Sequence, residues 1–88
     1  MYTVRLSARA KKTLAKLDRH IARMLTAWMR KNLEGCPDPF AKGKPLTGDR
    51  KGAWRYRVGD YRIRAEIHGT SLVILVLAIG NRKDIYDA

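Results

Sequence analysis

The 88-residue chain is short of acidic residues, cysteine and phenylalanine, and each shortage excludes something. One cysteine, Cys36, leaves no intramolecular disulfide and no cysteine-based zinc site. No apolar run approaches the roughly 18 to 20 residues of a membrane span. The longest, Leu72 to Ile79, covers eight residues and suits a buried strand. The N-terminus lacks the apolar segment of a secretory signal, so the chain reads as cytoplasmic. There is no H-E-x-x-H, no Cys/His cluster and no pair of carboxylates at catalytic spacing. Gly43, Gly48 and Gly52 do not fit a phosphate-binding P-loop. His20 falls on a basic helix and His68 at a strand end, while Asp18, Asp49 and Asp60 read as cap and turn residues. These gaps argue against metal-dependent nucleases, and no metal or cofactor is expected.

What the chain has instead is positive charge. Nineteen Lys and Arg against eight Asp and Glu give a net charge of +11. Such a balance implies a polyanionic partner, nucleic acid or a very acidic protein. Eleven of the cations are arginine and eight are lysine. The planar fork of arginine clamps phosphate oxygens in pairs, which favours a phosphate ligand. Hydrophobic residues make up 45% of the sequence, enough for one modest core, so residues 1–88 form a single domain.

Periodicity divides the chain in two. Residues 2–6 alternate and read as a strand. Ser7 is a good N-cap for a helix whose apolar stripe is Ala10, Leu14 and Leu17. Asp18 caps a second helix with the stripe Ile21, Leu25 and Trp28, flanked by Met24 and Met29. That helix ends near Leu33, with Gly35 as its stop. Residues 36–51 form a Pro- and Gly-punctuated linker, pinned by Leu46. Ala53 to Val58 and Tyr61 to Ile67 then alternate strictly on either side of Gly59-Asp60, a β-hairpin signature. Gly69 to Ser71 turns the chain into the apolar strand from Leu72 to Ile79. The expected fold is α+β, in the order β-α-α-β-β-β. A helical hairpin packs on one face of a mostly antiparallel sheet.

The hairpin register places the arginines. With Gly59 and Asp60 as the loop, Arg57 lies opposite Arg62 and Arg55 opposite Arg64. All four share one face, and Trp54, Tyr56, Val58, Ile63, Ala65 and Ile67 share the other. Facing cations about 5 Å apart destabilise a sheet. One nearby carboxylate, Glu66, does not balance four guanidiniums; a bound polyanion would. Arg82 follows the strand that pairs with this hairpin and reaches the same face. Tyr86 is either a stacking platform for an unpaired base or a terminal tyrosine closing the core; spacing alone allows both. Arg64, Lys44, Lys51, Asn81 and Lys83 complete the candidate RNA contacts. RNA supplies its own nucleophile, the 2′-OH, so guanidiniums around a phosphate leave a metal-free in-line displacement open, although arginine is a poor general base.

Residues 54–63, Trp-Arg-Tyr-Arg-Val-Gly-Asp-Tyr-Arg-Ile, and residues 79–86, Ile-Gly-Asn-Arg-Lys-Asp-Ile-Tyr, carry a resemblance. Together with Val4-Arg5-Leu6-Ser7, the Leu14/Leu17 helix and Lys44-Pro45-Leu46, they make the chain similar to the RelE/ParE superfamily of prokaryotic toxins, in its RelE branch. The resemblance implies the RelE/ParE, microbial-RNase-like fold. It also implies a ribosome-dependent mRNA interferase that cuts the codon in the A site. Its partners would be the ribosome and its rRNA, the mRNA, and an acidic RelB-like antitoxin through which the complex oligomerises. Arg55 and Arg57 fall where relatives contact the scissile phosphate, and Arg62 on the basic residue of the second hairpin strand. Arg82 falls on the arginine that assists the leaving group, and Tyr86 on the tyrosine that stacks on the codon. Asn81 stands where many relatives carry histidine. An amphipathic antitoxin helix would fill a groove beside the toxin's own helices and cover the arginines. The competing reading is a ParE-like toxin that binds gyrase without nuclease activity; a plain RNA-binding module explains the charge but not the second motif.

Overall fold

The computed structural model describes residues 1–45 and 53–81. Leu46, Lys51, Arg82, Lys83 and Tyr86, each given a role above, lie outside the described residues. Strand β1 (Thr3–Leu6) leads into α1 (Ala8–Lys16) and α2 (Arg19–Asn32). Strands β2 (Lys44–Pro45), β3 (Ala53–Val58), β4 (Tyr61–His68) and β5 (Val73–Asn81) follow. They form one sheet in the order β1-β5-β4-β3-β2, in which only β1 and β5 are parallel. The architecture is the α+β arrangement read from the sequence, with one addition. The linker contains β2, where Lys44 pairs with Arg55 and Pro45 with Trp54. Two residues are too few for a period, and Pro45, lacking an amide hydrogen, is tolerated because β2 is an edge strand.

Local chemistry sets the helix ends. The Ser7 hydroxyl accepts from the Ala10 amide at 3.0 Å, and the Asp18 carboxylate from the His20 amide at 3.0 Å. The two helices are therefore separated only by Leu17 and Asp18. Helix α2 stops at Leu33, and Gly35 takes a left-handed conformation (φ 76°) that returns the chain to β1. There the Gly35 amide donates to the Tyr2 carbonyl at 2.7 Å.

The core lies between the helices and the sheet. Ala10, Leu25, Met29 and Leu33 from the helices meet Tyr56, Val58, Ile63, Ala65, Ile74, Val76 and Ile79. Leu14, Leu17, Ile21 and Trp28 pack partly buried against them. Met24, expected beside the α2 stripe, is 38% exposed and lies at its margin. Strand β5 runs to Asn81, two residues beyond the apolar stretch, because it stays paired with β4 to the Tyr61–Asn81 rung.

Candidate functional site

The observed register is the one the hairpin sequence predicts. Val58 pairs with Tyr61, Arg57 with Arg62 and Arg55 with Arg64, and Gly59 takes the left-handed conformation (φ 60°) of a two-residue turn. Strand parity puts the four arginines on the face away from the helices, and Lys44 of β2 joins them through its pairing with Arg55.

Strand β5 contributes small residues to that face through a β-bulge. Arg64 pairs with Ala78 but Ala65 with Val76, so Leu77 is the extra residue. Without it, Leu77 and Ile79 would oppose Arg64 and Arg62. With it, Ala78 and Gly80 take those positions, leaving room over the sheet. The bulge is pinned from the other end of the chain. The Ser7 hydroxyl that caps α1 donates to the Leu77 carbonyl at 2.9 Å, and the Ser7 amide to the Val76 carbonyl at 2.9 Å. Bulges recur beside active sites because they re-aim strand faces in this way.

The opposite wall is the loop before β2. Tyr56 donates its phenol to the Pro39 carbonyl at 2.6 Å, and Trp54 its indole N–H to the Phe40 carbonyl at 3.2 Å. The Phe40 ring meets Trp54 edge to face at 4.9 Å. Gly43 then runs so close to β3 that a Cβ there would fall 2.8 Å from ring carbons of both Trp54 and Tyr56. The result is a cleft of about 320 Å³ lined by Ala41, Lys42, Gly43, Lys44, Arg55, Arg57 and Arg62. Lys42 was not legible as a site residue in the sequence. Its spacing of two from Lys44 is the only signal, and Lys42 itself lies in the turn just before β2.

The arginines differ in environment. Arg57 is exposed and Arg55 half-buried, whereas Arg62, expected on an open basic face, is only 6% exposed. Its Nη1 donates to the adjacent Tyr61 carbonyl at a long 3.5 Å. Arg64 has a fully buried Nε with no hydrogen-bond acceptor among the described residues. No described carboxylate pairs with Arg57, Arg62 or Arg64. Glu66, which the sequence offered as a counter-charge, instead stands 3.4 Å from His68 Nε2. Asn81 sits opposite Tyr61 at the end of β5, on the other parity from Gly80 and Arg62. It is therefore not brought into the cleft by its strand position.

Two titratable groups outside the cleft are perturbed. Burial, with the Cys36 and Asp38 charges second, pushes the Tyr56 phenol far above its ordinary value. Burial and then Asp38 also raise the Cys36 thiol. Both are protonated at neutral pH, so Tyr56 serves as a donor that fastens the cleft wall.

A sequence profile described as the ParE toxin of the type II toxin-antitoxin system parDE matches residues 4–86. The chain belongs to this family of toxins, within the RelE/ParE superfamily. Its fold is also that of solved RelE toxins. It is 28% identical to a chain of the RelBE2 toxin-antitoxin complex of Mycobacterium tuberculosis, covering 92% of this chain and 98% of that one, with a TM-score of 0.81. It is 29% identical to one of the archaeal RelE-RelB complex of Pyrococcus horikoshii, covering 94% and 97%, with a TM-score of 0.70. The isolated Escherichia coli RelE toxin shares the fold at 22% identity and a TM-score of 0.73, covering 99% and 93%. No curated protein sequence matches significantly. The toxin has no described helix long and apolar enough to cross a membrane.

Proposed function

We propose that this toxin is a ribosome-dependent, metal-independent endoribonuclease that cuts mRNA in the A site and so arrests translation in the cytoplasm. One observation carries the reading: arginines from two strands line a single cleft, and one of them, Arg62, is buried with no carboxylate partner among the described residues. Buried cations without partners are costly, and folding does not require one here. A phosphodiester supplies the missing negative charge.

The chemistry is an in-line displacement. The 2′-oxygen attacks the adjacent phosphorus and the bond to the 5′-oxygen breaks. The products are a 2′,3′-cyclic phosphate and a 5′-OH. The 2′-OH proton passes to a base and the leaving oxygen takes one up. Arg55, Arg57 and Arg62 hold the phosphate oxygens and stabilise the charge that builds on them. Arginine does not give up a proton below about pH 12. The resemblance assigns leaving-group assistance to Arg82 and codon stacking to Tyr86. Lys51 and Lys83 are further candidate RNA contacts, and Asn81 would orient a neighbouring group without titrating. Weak intrinsic base chemistry suits an enzyme whose substrate is positioned by the ribosome. We place an acidic RelB-like antitoxin over the same face, as its inhibitor and as the centre of an oligomeric complex. The M. tuberculosis and P. horikoshii relatives were solved as toxin-antitoxin complexes.

The description of the matching profile favours a second reading, a gyrase-directed toxin without nuclease activity. Primer extension on a translated message separates the two. Cuts within codons that need ribosomes and persist in EDTA support the nuclease. Cleaved-complex DNA breaks with intact message support the gyrase toxin and refute the nuclease.

A further inference from the structure

The outer face of the sheet presents its cations in two rungs. One runs Arg57, Arg62, Gly80; the other runs Lys44, Arg55, Arg64, Ala78. Rungs two residues apart on one face are separated by about 7 Å. Neighbouring phosphates of an extended single strand are separated by one sugar and its two ester links, a reach of the same order.

Arg64 is the unexplained member of the second rung. Its Nε–H is fully buried and has no acceptor among the described residues. Its register neighbours are Arg55 on one side and the methyl group of Ala78 on the other. Glu66, two residues along β4, is engaged by His68. Buried donors almost always find an acceptor, and an unmet one in a native structure calls for a missing partner. The cleft, at about 320 Å³, reaches Lys44 and Arg55 of this rung but is not lined by Arg64; its size matches the lower end of pockets for small ligands, roughly 300 Å³ upward.

We infer that Arg64 and Lys44, which flank Arg55 in their rung, form a second phosphate seat, one nucleotide along from the phosphate held by Arg55, Arg57 and Arg62. The outer face of the sheet thus binds two consecutive phosphodiesters of single-stranded RNA, one in the cleft and one beyond it. This rests on reading the cleft as an RNA site. It adds the strand's path, and it makes Arg64 a binding residue that sets affinity and register, not the rate of bond breaking.

The test is binding of the full chain to an uncleavable 2′-O-methyl RNA hexamer, followed by fluorescence anisotropy. A set of hexamers each carries one neutral methylphosphonate at a different link. Arg64→Leu should weaken binding of the fully charged strand about tenfold. It should also lower the salt slope by about 0.7, the value for one phosphate on a single strand. One particular methylphosphonate should weaken the wild type by the same factor and leave Arg64→Leu with no further loss. Arg64→Lys, which keeps the charge but lacks Nε, should retain the salt slope at intermediate affinity; it also serves if the leucine variant does not fold. The seat is overturned if both variants bind like wild type, or if Arg64→Leu loses equally whichever link is neutral. It is also overturned if the loss falls on an acidic peptide and not on RNA, or if no hexamer binds at low salt. Message cleavage without Arg64 dependence in the hexamer assay removes the seat and leaves the nuclease. Arg64-dependent binding without message cleavage keeps the seat and removes the nuclease.

Discussion

Replacing Arg62 by methionine should make this toxin more stable while disabling it. Arg62 is 6% exposed, faces Arg57 across the hairpin and has no described carboxylate partner. Two unit charges at about 5 Å repel by roughly 3 kcal/mol at an effective dielectric of 20 and by under about 1 kcal/mol in water. One member is buried and the other exposed, so the relevant value lies between, at about 1–2 kcal/mol. Methionine keeps the length and apolar bulk of the stem, and among the described residues the only hydrogen bond lost is the long one to the Tyr61 carbonyl. For a domain of this size each kcal/mol moves Tm by about 4–8 °C, so Arg62→Met should melt about 5–15 °C higher. Thermal unfolding followed by circular dichroism reads this directly. The gain should shrink between about 0.1 M and 1 M salt, as the screening length falls from about 10 Å to 3 Å. A variant that melts lower than wild type, or whose gain ignores salt, would show that Arg62 is held by structural contacts and not kept for a ligand. The inverse relation between stability and activity is common where a site stores unfavourable charge.

Three further outcomes follow from the same geometry. Gly43→Ala should cost about 1–3 kcal/mol in urea denaturation, because its Cβ would press on the Trp54 and Tyr56 rings. Ser7→Ala removes both a helix cap and the bond to the bulge carbonyl, so a loss of about 1–2 kcal/mol is expected, measured in the same way. Tyr56 gives a pH signature: its folded phenol ionises later than the unfolded one, whose ordinary value is near 10. The stability it contributes is therefore complete below about pH 10 and falls as pH rises above it, where only the unfolded state loses the proton. Urea titrations at increasing alkaline pH should show Tyr56→Phe losing less stability than wild type; parallel losses would contradict the assignment.

Much of the basic face was legible from the alternation on either side of Gly59-Asp60. A strand reverses faces at every residue, so a two-residue turn fixes which arginines oppose each other, and the observed pairs are those. Helix starts were equally local, since Ser7 and Asp18 each cap an amide two or three residues away. Lys42, the strand character of Lys44–Pro45 and the burial of Arg62 were not legible. Each depends on a partner distant in sequence: Pro39 and Phe40 reach Tyr56 and Trp54, and the loop they fasten becomes the cleft wall.

The sequence by itself thus determined the elements, the hairpin register and the sign of the charge, because those follow from neighbours a few residues apart. Only the tertiary structure decided what lies over the arginines. A single extra residue in β5, held by a serine 70 positions away, places Ala78 and Gly80 where Leu77 and Ile79 would otherwise stand. Strand pairing between distant segments has no local signature, so the space in which a phosphate is proposed to sit exists only in the folded chain.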